Sequence, residues 1–266
     1  MPDYPEMVVP VNHVAPVPRR IRAVLAGETV LDTTRARYVW EWSHYPQYYI
    51  PLDDIRPGLL TSEDRTQHSS RGTVEVHGVG LGDIRRPHAA KVLRDSPVDG
   101  LSGTVRFDWA ALDAWFEEDE QVFVHPRHPY ARVDALRSNR QVRVELEGVV
   151  LAESASPVMV FETGLPTRYY LDRNLIDFRH LIATDTVTAC PYKGTTSGYW
   201  SARVGEQLYP DLAWTYDFPT RQLMPVAGLV AFYNERVDMF LEGQLLERPV
   251  THFSSQGPNS RPCEHL

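Results

Sequence analysis

A cysteine and a lysine lie three residues apart in ACPYKG, residues 189–194, and this spacing suits nucleophilic chemistry. The thiolate is the reactive form of cysteine, and a nearby cation lowers the pKa of the thiol. Pro191 and Gly194 favour a tight turn, which brings Cys190 and Lys193 together. The pattern therefore predicts Cys190 as a nucleophile or acid/base, tuned by Lys193. The alternative is a structural turn with an inert, buried cysteine.

A carboxylate and a guanidinium flank GLPT, which has the composition of a turn between two strands. Arg168 offers a planar fork that suits a carboxylate or a phosphate. Glu162 can orient that fork or transfer protons, so it is the third predicted catalytic residue. The alternative is a structural ion pair at a hairpin, of the kind that contributes little to stability.

The same half of the chain is rich in tyrosine and tryptophan, which combine a large apolar area with a polar tip. Most such side chains pack in the core of a β domain, but a subset is predicted to line a substrate pocket. The predicted substrate-binding residues are Arg168, Tyr170, Tyr192, Tyr199, Trp200, Trp214, Tyr233 and Arg132. Arg132 lies between the two halves, where it can instead lock them together by charge-assisted hydrogen bonds.

The segment HPRHPY raises the question of a metal, because it holds His125 and His128. Its prolines break the helix that usually carries such spacing, and no third ligand stands nearby, so we predict no metal site. The sequence has neither a glycine-rich dinucleotide fingerprint nor a P-loop. The predicted set of cofactors is therefore empty.

The composition is that of an acidic globular protein, with 266 residues, a net charge of −8 and 42% hydrophobic residues. Nucleic acid normally requires a basic surface and is excluded as a partner. The overall field favours cationic or neutral ligands, although a local basic pocket can override it. No apolar run reaches the roughly 20 residues of a membrane helix, and the N-terminus does not resemble a signal peptide. We predict a cytoplasmic protein that binds a small molecule, with a homodimer left open.

The sequence contains one pattern twice. Three pairs of features are each separated by 121 residues: Gly27 and Gly148, Glu41 and Glu162, and the tyrosine pairs 48–49 and 169–170. A fixed offset across several motifs indicates an internal repeat. Two copies predict two similar domains in tandem rather than a solenoid.

Alternating apolar residues predict that each copy is built mainly from strands. Val142, Val144 and Leu146 share one side of a half-buried strand, and Gly148 then marks a hairpin turn. Short apolar runs divided by Pro and Gly continue the pattern. The exception is FDWAALDAWFEEDEQ, which predicts a short helix capped by Asp108. The predicted fold class is mainly β, with one or two short helices.

The repeat sets the predicted boundaries: an extended N-terminal arm over 1–19, a first domain over 20–137, a second over 138–253 and a disordered tail over 254–266. The join is expected near Ala135–Asn139. The first copy is predicted to carry a glycine-rich insertion without a counterpart, residues 78–100. Cys263 falls in the tail, and both it and Cys190 are expected to be reduced in the cytosol.

The motifs ETGLPTRYYL, TACPYKGTTSGYWS, DLAWTYDFP and GLVAFYNERVD, in this order, resemble the family called domain of unknown function 427. The bridging segment HPRHPYARVDALRSNRQVRVELEG is similar to that of the family's two-domain actinobacterial form. The resemblance covers residues 20–253 and implies two small, mainly β domains with coiled sheets. It implies no established activity. A nucleotidyltransferase label sometimes attached to the family is not carried over, because the chain lacks a glycine-serine motif with paired aspartates.

The two copies differ at the predicted site: Ser69 replaces Cys190, Gln47 replaces Arg168 and, after a gap of one residue, Arg71 replaces Lys193. The copies share Glu41 or Glu162 and the tyrosine pair. If they also share a fold, the common residues serve the scaffold and the chemistry lies in the differences, which places the pocket in the second copy.

Our leading hypothesis is an enzyme that acts on a small organic metabolite carrying an anionic group. The enzyme would be a hydrolase, transferase or lyase, which the sequence does not rank. A second hypothesis is a non-catalytic module that binds a small molecule or a protein with the same pocket and an unreactive cysteine. A third is a domain used mainly for dimerisation, with an apolar surface patch and no deep cleft.

Overall fold

The computed structural model describes residues 4, 9–251, 253 and 254. The chain forms two compact units, a first of Val8–Pro129 and a second that contains Tyr130–Leu266. The boundary lies a few residues before the predicted join, because Val133–Arg137 form a strand of the second unit. Residues 255–266 of the predicted tail, with Cys263, lie outside the described residues.

The first unit is an antiparallel β structure with two short 3-10 helices, Leu52–Asp54 and Trp109–Ala111, among its described residues. Its strands are β1 (Val14–Pro16), β2 (Ile21–Leu25), β3 (Glu28–Thr33), β4 (Arg37–Val39), β5 (Gln47–Pro51), β6 (Leu60–Ser69), β7 (Gly72–Leu81), β8 (Ile84–Leu93), β9 (Thr104–Phe107), β10 (Ala114–Glu117) and β11 (Glu120–Val122). One sheet has the order β1-β4-β5-β9-β8-β7-β6, and the other has the order β11-β10-β2-β3.

The second unit repeats this plan and has three short 3-10 helices in its described part, Arg173–Leu175, Phe178–His180 and Arg221–Val226. Its strands are β12 (Val133–Arg137), β13 (Val142–Leu146), β14 (Val149–Ser154), β15 (Val158–Glu162), β16 (Arg168–Leu171), β17 (Leu181–Thr184), β18 (Ala189–Cys190), β19 (Gly194–Thr195), β20 (Gly198–Val204), β21 (Gln207–Thr215), β22 (Val230–Phe232), β23 (Asp238–Leu241) and β24 (Gln244–Leu245). The sheets run β12-β15-β16-β22-β21-β20-β17 and β14-β13-β23-β24, and β18 pairs with β19.

The prediction of two tandem, mainly β domains is confirmed. The strand orders of the two units match, so the sequence repeat corresponds to a repeated fold. In both copies a strand with alternating buried residues, β2 or β13, pairs with the next strand through a bulge at the same position. The alternation works because successive side chains of a strand point to opposite faces. Among the described residues, no helix is long and apolar enough to span a bilayer.

The predicted helix over residues 107–121 is wrong. Only Trp109–Ala111 form a 3-10 turn, without a side-chain cap from Asp108, and Ala114–Glu117 form strand β10. Trp115 and Glu117 are buried while Ala114 and Phe116 are half-buried, which is the two-residue period of a strand. Pairing of β10 with β2 outweighs the helical preference of the local sequence.

Two further boundary predictions need correction. Residues 14–16 of the predicted extended arm form β1, an edge strand of the first unit, so this unit begins before the predicted residue 20. Most of the predicted insertion, residues 78–93, belongs to the β7–β8 hairpin, and this hairpin corresponds to β20–β21 in the second unit. The first hairpin is longer, so its extra residues extend an element that both copies contain.

The β2–β3 hairpin provides a test of the turn chemistry. Ala26 and Gly27 both have positive φ, 52° and 76°, which defines a turn that favours asparagine at its first position. An Ala26→Asn variant should stabilise the first unit by about 0.5 kcal/mol or more, since asparagine adopts this conformation more readily. Hydrogen exchange of the β2 and β3 amides measures the change. Ala26→Val should destabilise the same amides, and equal effects of both variants would contradict the turn assignment.

Candidate functional site

The ACPYKG stretch folds into a small hairpin whose loop points a cysteine and a lysine at each other. Cys190 in β18 is the register partner of Gly194 in β19, which leaves residues 191–193 as the loop. Gly194 has φ of +95°, a conformation that favours glycine. The carbonyl of Lys193 accepts a hydrogen bond from the backbone N–H of Thr220 at 3.1 Å, which anchors the loop to the rest of the unit.

Three of the predicted residues meet at this loop. The Nζ atom of Lys193 forms an ion pair with Oε2 of Glu162, and it lies 3.9 Å from Sγ of Cys190. The side chains of Lys193 and Glu162 are nearly buried, at 10% and 9% exposure, whereas Cys190 is half-buried. Glu162 is the last residue of β15, so the sheet edge holds its carboxylate against the hairpin. The ammonium of Lys193 therefore contacts both the carboxylate of Glu162 and the thiol of Cys190.

The electrostatics of this group corrects one expectation from the sequence. Burial raises the pKa of the Cys190 thiol; Lys193 opposes this shift, Glu162 adds to it, and the backbone N–H groups of Tyr192 and Lys193 oppose it. The net shift of the thiol pKa is upward, because burial outweighs Lys193 and Glu162 adds to it. Burial also works to lower the pKa of Lys193, but the negative partners Cys190 and Glu162 raise it. The resting site therefore holds a neutral thiol beside an ion pair.

Arg168 does not face an open ligand position. Its Nη1 and Nη2 atoms donate to the two carboxylate oxygens of Glu235 at 2.6 and 2.7 Å, and the side chains are 6% and 0% exposed. Burial works against ionisation of Glu235, but Arg168 outweighs it and holds the pKa of Glu235 below its ordinary value. Thr251 also donates to Oε1 of Glu235 at 2.6 Å. An anionic ligand can bind Arg168 only by displacing this carboxylate.

A cluster of aromatic side chains packs beside Arg168, whose guanidinium lies over the rings of Trp214 and Tyr233. Its aromatic members are Tyr170, Tyr199, Trp214, Tyr216 and Tyr233, which pack with aliphatic residues of the same sheet face. Nε1 of Trp214 donates to the Tyr170 hydroxyl at 3.2 Å, and the hydroxyls of Tyr199 and Tyr233 lie 3.0 Å apart. Burial raises the pKa of Tyr170 to about 12, so its hydroxyl is neutral at physiological pH. These contacts place four predicted substrate-binding residues around the site.

Tyr216 is the exception within this cluster. Its side chain is 5% exposed, and its hydroxyl makes no hydrogen bond with the described residues. Buried hydroxyls are normally hydrogen-bonded. Burial raises its pKa well above the ordinary value, and the groups that add to this shift are Tyr170, Cys190, Tyr199 and Tyr233. The Tyr216 hydroxyl is thus neutral, and it interacts electrostatically with Cys190.

The other predicted residues lie elsewhere. Trp200 is in β20 next to Tyr199 but faces the opposite side of the sheet, where it packs on Phe178. Arg132 is 81% exposed and pairs with Asp134. Tyr192 contributes its backbone N–H to the thiol, while its side chain is half-buried.

The histidines of HPRHPY belong to the first unit. His125 stacks on Tyr45 with ring centroids 3.7 Å apart, and Nε2 of His128 accepts a hydrogen bond from Trp40 at 2.9 Å. Burial lowers the pKa of His128 to about 4, which keeps the ring neutral. Across the described residues, no group of three or more His, Cys, Asp or Glu side chains could hold a metal ion.

Sequence analysis missed Glu235, Thr251 and the special position of Tyr216. The repeat contains a signal for Glu235, since the first unit lacks both members of this ion pair. Register places Gln47 where the second unit has Arg168, and the loop after β9 has only Ala110 and Ala111 where Glu235 follows β22. Joint absence of two residues indicates that they act as a pair.

Comparison with known families gives a match to each of the two copies of the repeat. The family described as domain of unknown function (DUF427) matches residues 13–118 and, a second time, residues 134–243. The two matches fall on the two units. No curated protein is similar enough to this chain to count as a match.

Proposed function

The chain belongs to the DUF427 family, with one copy of the domain in each unit, and on that premise we propose that the second unit is a cysteine-dependent enzyme for small acyl compounds. The observation that carries this proposal is the contact of Lys193 with both Glu162 and Cys190. A nucleophile needs a proton acceptor and a cation to stabilise its charge, and this group provides both.

The chemistry that fits this arrangement is hydrolysis or transfer of an acyl group. Sγ of Cys190 attacks the acyl carbon, and its proton passes through the Lys193 ammonium to Glu162. The same relay protonates the leaving amine or alcohol as its bond to the acyl carbon breaks, which leaves a thioester on Cys190. Attack by water releases the acid and returns the proton to the thiol. Glu162 and Lys193 then hold their original charges.

The site favours a neutral substrate rather than the anionic one that the sequence suggested. Arg168 is neutralised by Glu235 and Lys193 by Glu162, so neither of these two cations offers an unmatched positive charge to a ligand. The Tyr216 hydroxyl makes no hydrogen bond with the described residues and interacts electrostatically with Cys190. A hydrogen bond from this hydroxyl to the acyl oxygen would strengthen as charge develops on that oxygen, which is how such donors accelerate acyl transfer. Tyr216 is therefore added to the proposed catalytic residues.

A chromogenic acetyl ester tests the proposal without knowledge of the natural substrate. We expect p-nitrophenyl acetate to acetylate the peptide that contains Cys190, with release of nitrophenol in a burst equal to the enzyme concentration. Tyr216→Phe should slow acylation on the order of tenfold, because it removes the donor to the oxyanion. Mass spectrometry of the digested protein identifies the acetylated residue.

The matched control is the chain's second cysteine. Cys190→Ser should abolish the burst, whereas Cys263→Ser should leave it unchanged. A burst that survives in Cys190→Ser, or an acetyl group found on lysine alone, would contradict the proposed nucleophile.

A non-catalytic binding module is the second candidate, and the upward pKa shift of Cys190 favours it. In a binding module of this kind, the uncharged thiol of Cys190 would line the pocket without reacting. It predicts no burst with any acyl ester, and unchanged ligand affinity in Cys190→Ser.

A further inference from the structure

The first unit carries a row of basic side chains on the face that corresponds to the aromatic cluster of the second unit. Arg37 and Tyr49 are register partners in β4 and β5, and Arg106 and Lys91 are register partners in β9 and β8. Strands β5 and β9 pair one residue further along, at Ile50. Directly opposed residues of antiparallel strands lie on one face, about 5 Å apart. We call Arg37, Arg106 and Lys91 the cationic row.

The second unit has an apolar row at the same positions. Val158 and Tyr170 are partners in β15 and β16, and Tyr170, Ala231 and Trp214 continue across β16, β22 and β21. The tyrosine is thus common to both units, while its three neighbours are a valine, an alanine and a tryptophan in one and two arginines and a lysine in the other. At these positions the first unit therefore has charged side chains where the second unit has apolar ones.

The cationic row is only partly satisfied within the described residues. Arg37 and Lys91 are half-buried and make neither an ion pair nor a hydrogen bond there. Arg106 is 15% exposed, bonds to Asp108 through Nη1, and has a buried Nε atom without a hydrogen-bond partner. Removal of a cation from water without a partner is unfavourable, so an anion that approaches these groups would gain a favourable interaction.

The carboxylates on this face do not balance the cations. Glu41 lies 3.6 Å from Nε of Arg106 and accepts a hydrogen bond from the Tyr49 hydroxyl at 2.8 Å. Asp108 is the other acid in contact with the row. A further cation, Arg71, bonds to Asn12 and acts electrostatically on Tyr49. Among the described residues, the three cations of the row together with Arg71 therefore outnumber the two carboxylates in contact with the row.

We propose that the cationic row of the first unit binds a small, doubly charged oxyanion of the phosphate type. Arg106 and Lys91 lie on adjacent strands and can hold one such group between them, since Nη2 of Arg106 and the lysine ammonium make no hydrogen bond within the described residues. Arg37 supplies charge on the other side of Tyr49. This inference does not depend on the acyl chemistry proposed for the second unit.

The test is a calorimetric titration of inorganic phosphate into the full chain at low ionic strength. We expect saturable binding at one site, weakened at least about tenfold in Lys91→Met and in Arg37→Met, because each removes a charged hydrogen-bond donor. Neither variant breaks a hydrogen bond within the described residues, so both should fold. Succinate, a dicarboxylate of the same charge, distinguishes a general dianion site from one shaped for phosphate.

The matched control is Arg85→Gln, which removes one positive charge at the exposed tip of the β7–β8 hairpin. This variant should bind phosphate with unchanged affinity. Absence of saturable binding to the unaltered chain would overturn the proposal. Equal weakening in Arg85→Gln and Lys91→Met would also overturn it, because the effect would then come from net charge alone.

Discussion

Glu235→Ala is expected to destabilise the second unit by about 3–5 kcal/mol, the range found when one partner of a buried ion pair is removed. The substitution leaves the Arg168 guanidinium 6% exposed, without a counter-ion, and surrounded by the rings of Trp214, Tyr233 and Phe253 at 5.5–5.9 Å. Because the chain has two units, unfolding of the whole chain is not a single transition. Hydrogen exchange of the β16 and β22 amides reports the second unit alone.

Two controls distinguish the destabilisation caused by breaking the buried pair from that caused by removing any carboxylate. Glu28→Ala removes an acid from the exposed pair with Arg56 and should change stability by less than about 1 kcal/mol. The double variant Arg168→Gln with Glu235→Ala reproduces the residues of the first unit, and should recover part of the lost stability. If Glu235→Ala and Glu28→Ala had similar effects, the buried pair would not stabilise the unit.

Glu162→Gln and Lys193→Met are expected to change the reactivity of Cys190 in opposite directions. The Glu162 carboxylate raises the pKa of the thiol, so its removal shifts the alkylation profile to lower pH and speeds reaction at pH 7.5. Lys193 lowers the same pKa, so Lys193→Met shifts the profile to higher pH and slows reaction. The Lys193 charge lies 3.9 Å from the sulfur, so we expect its removal to slow alkylation on the order of tenfold.

The measurement is the rate of iodoacetamide alkylation against pH, read by mass spectrometry on a Cys263→Ser background. Lys193→Met leaves the nearly buried Glu162 without its partner, so the double variant Glu162→Gln with Lys193→Met serves as the control. Its rate at pH 7.5 should fall between those of the two single variants. Slower alkylation in both single variants would show that the ion pair supports the loop and does not tune the thiol.

The tandem repeat was the most predictable part of the fold. A constant offset needs no knowledge of packing, and the strand registers follow the same offset, with Gln47 opposite Val39 and Arg168 opposite Val160. Residues 107–121 were not predictable in the same way. Their apolar residues fit a helical face and a strand face equally well, and the choice is made by pairing with β2, nearly a hundred residues earlier in the sequence.

The candidate site likewise contains residues that the sequence indicates and residues that only the fold brings together. Cys190 and Lys193 were predictable because a short turn joins them, and Glu162 because the repeat marks its position. The partner of Arg168 was not, since Glu235 lies 67 residues away and only the fold brings the two together. Trp200 shows a simpler lesson. It follows Tyr199 directly in a strand, so the two side chains cannot both face one pocket.

The enclosure of Arg168 has a consequence for the order of events during protein synthesis. Its carboxylate partner and the ring of Phe253 are the late contributors to a unit that begins near residue 130. The strands of the first unit are complete once Val122 has been made. Domains emerge from the ribosome in sequence and generally fold as units. The first unit can therefore fold during translation, while Arg168 stays hydrated until translation of the second unit has almost finished.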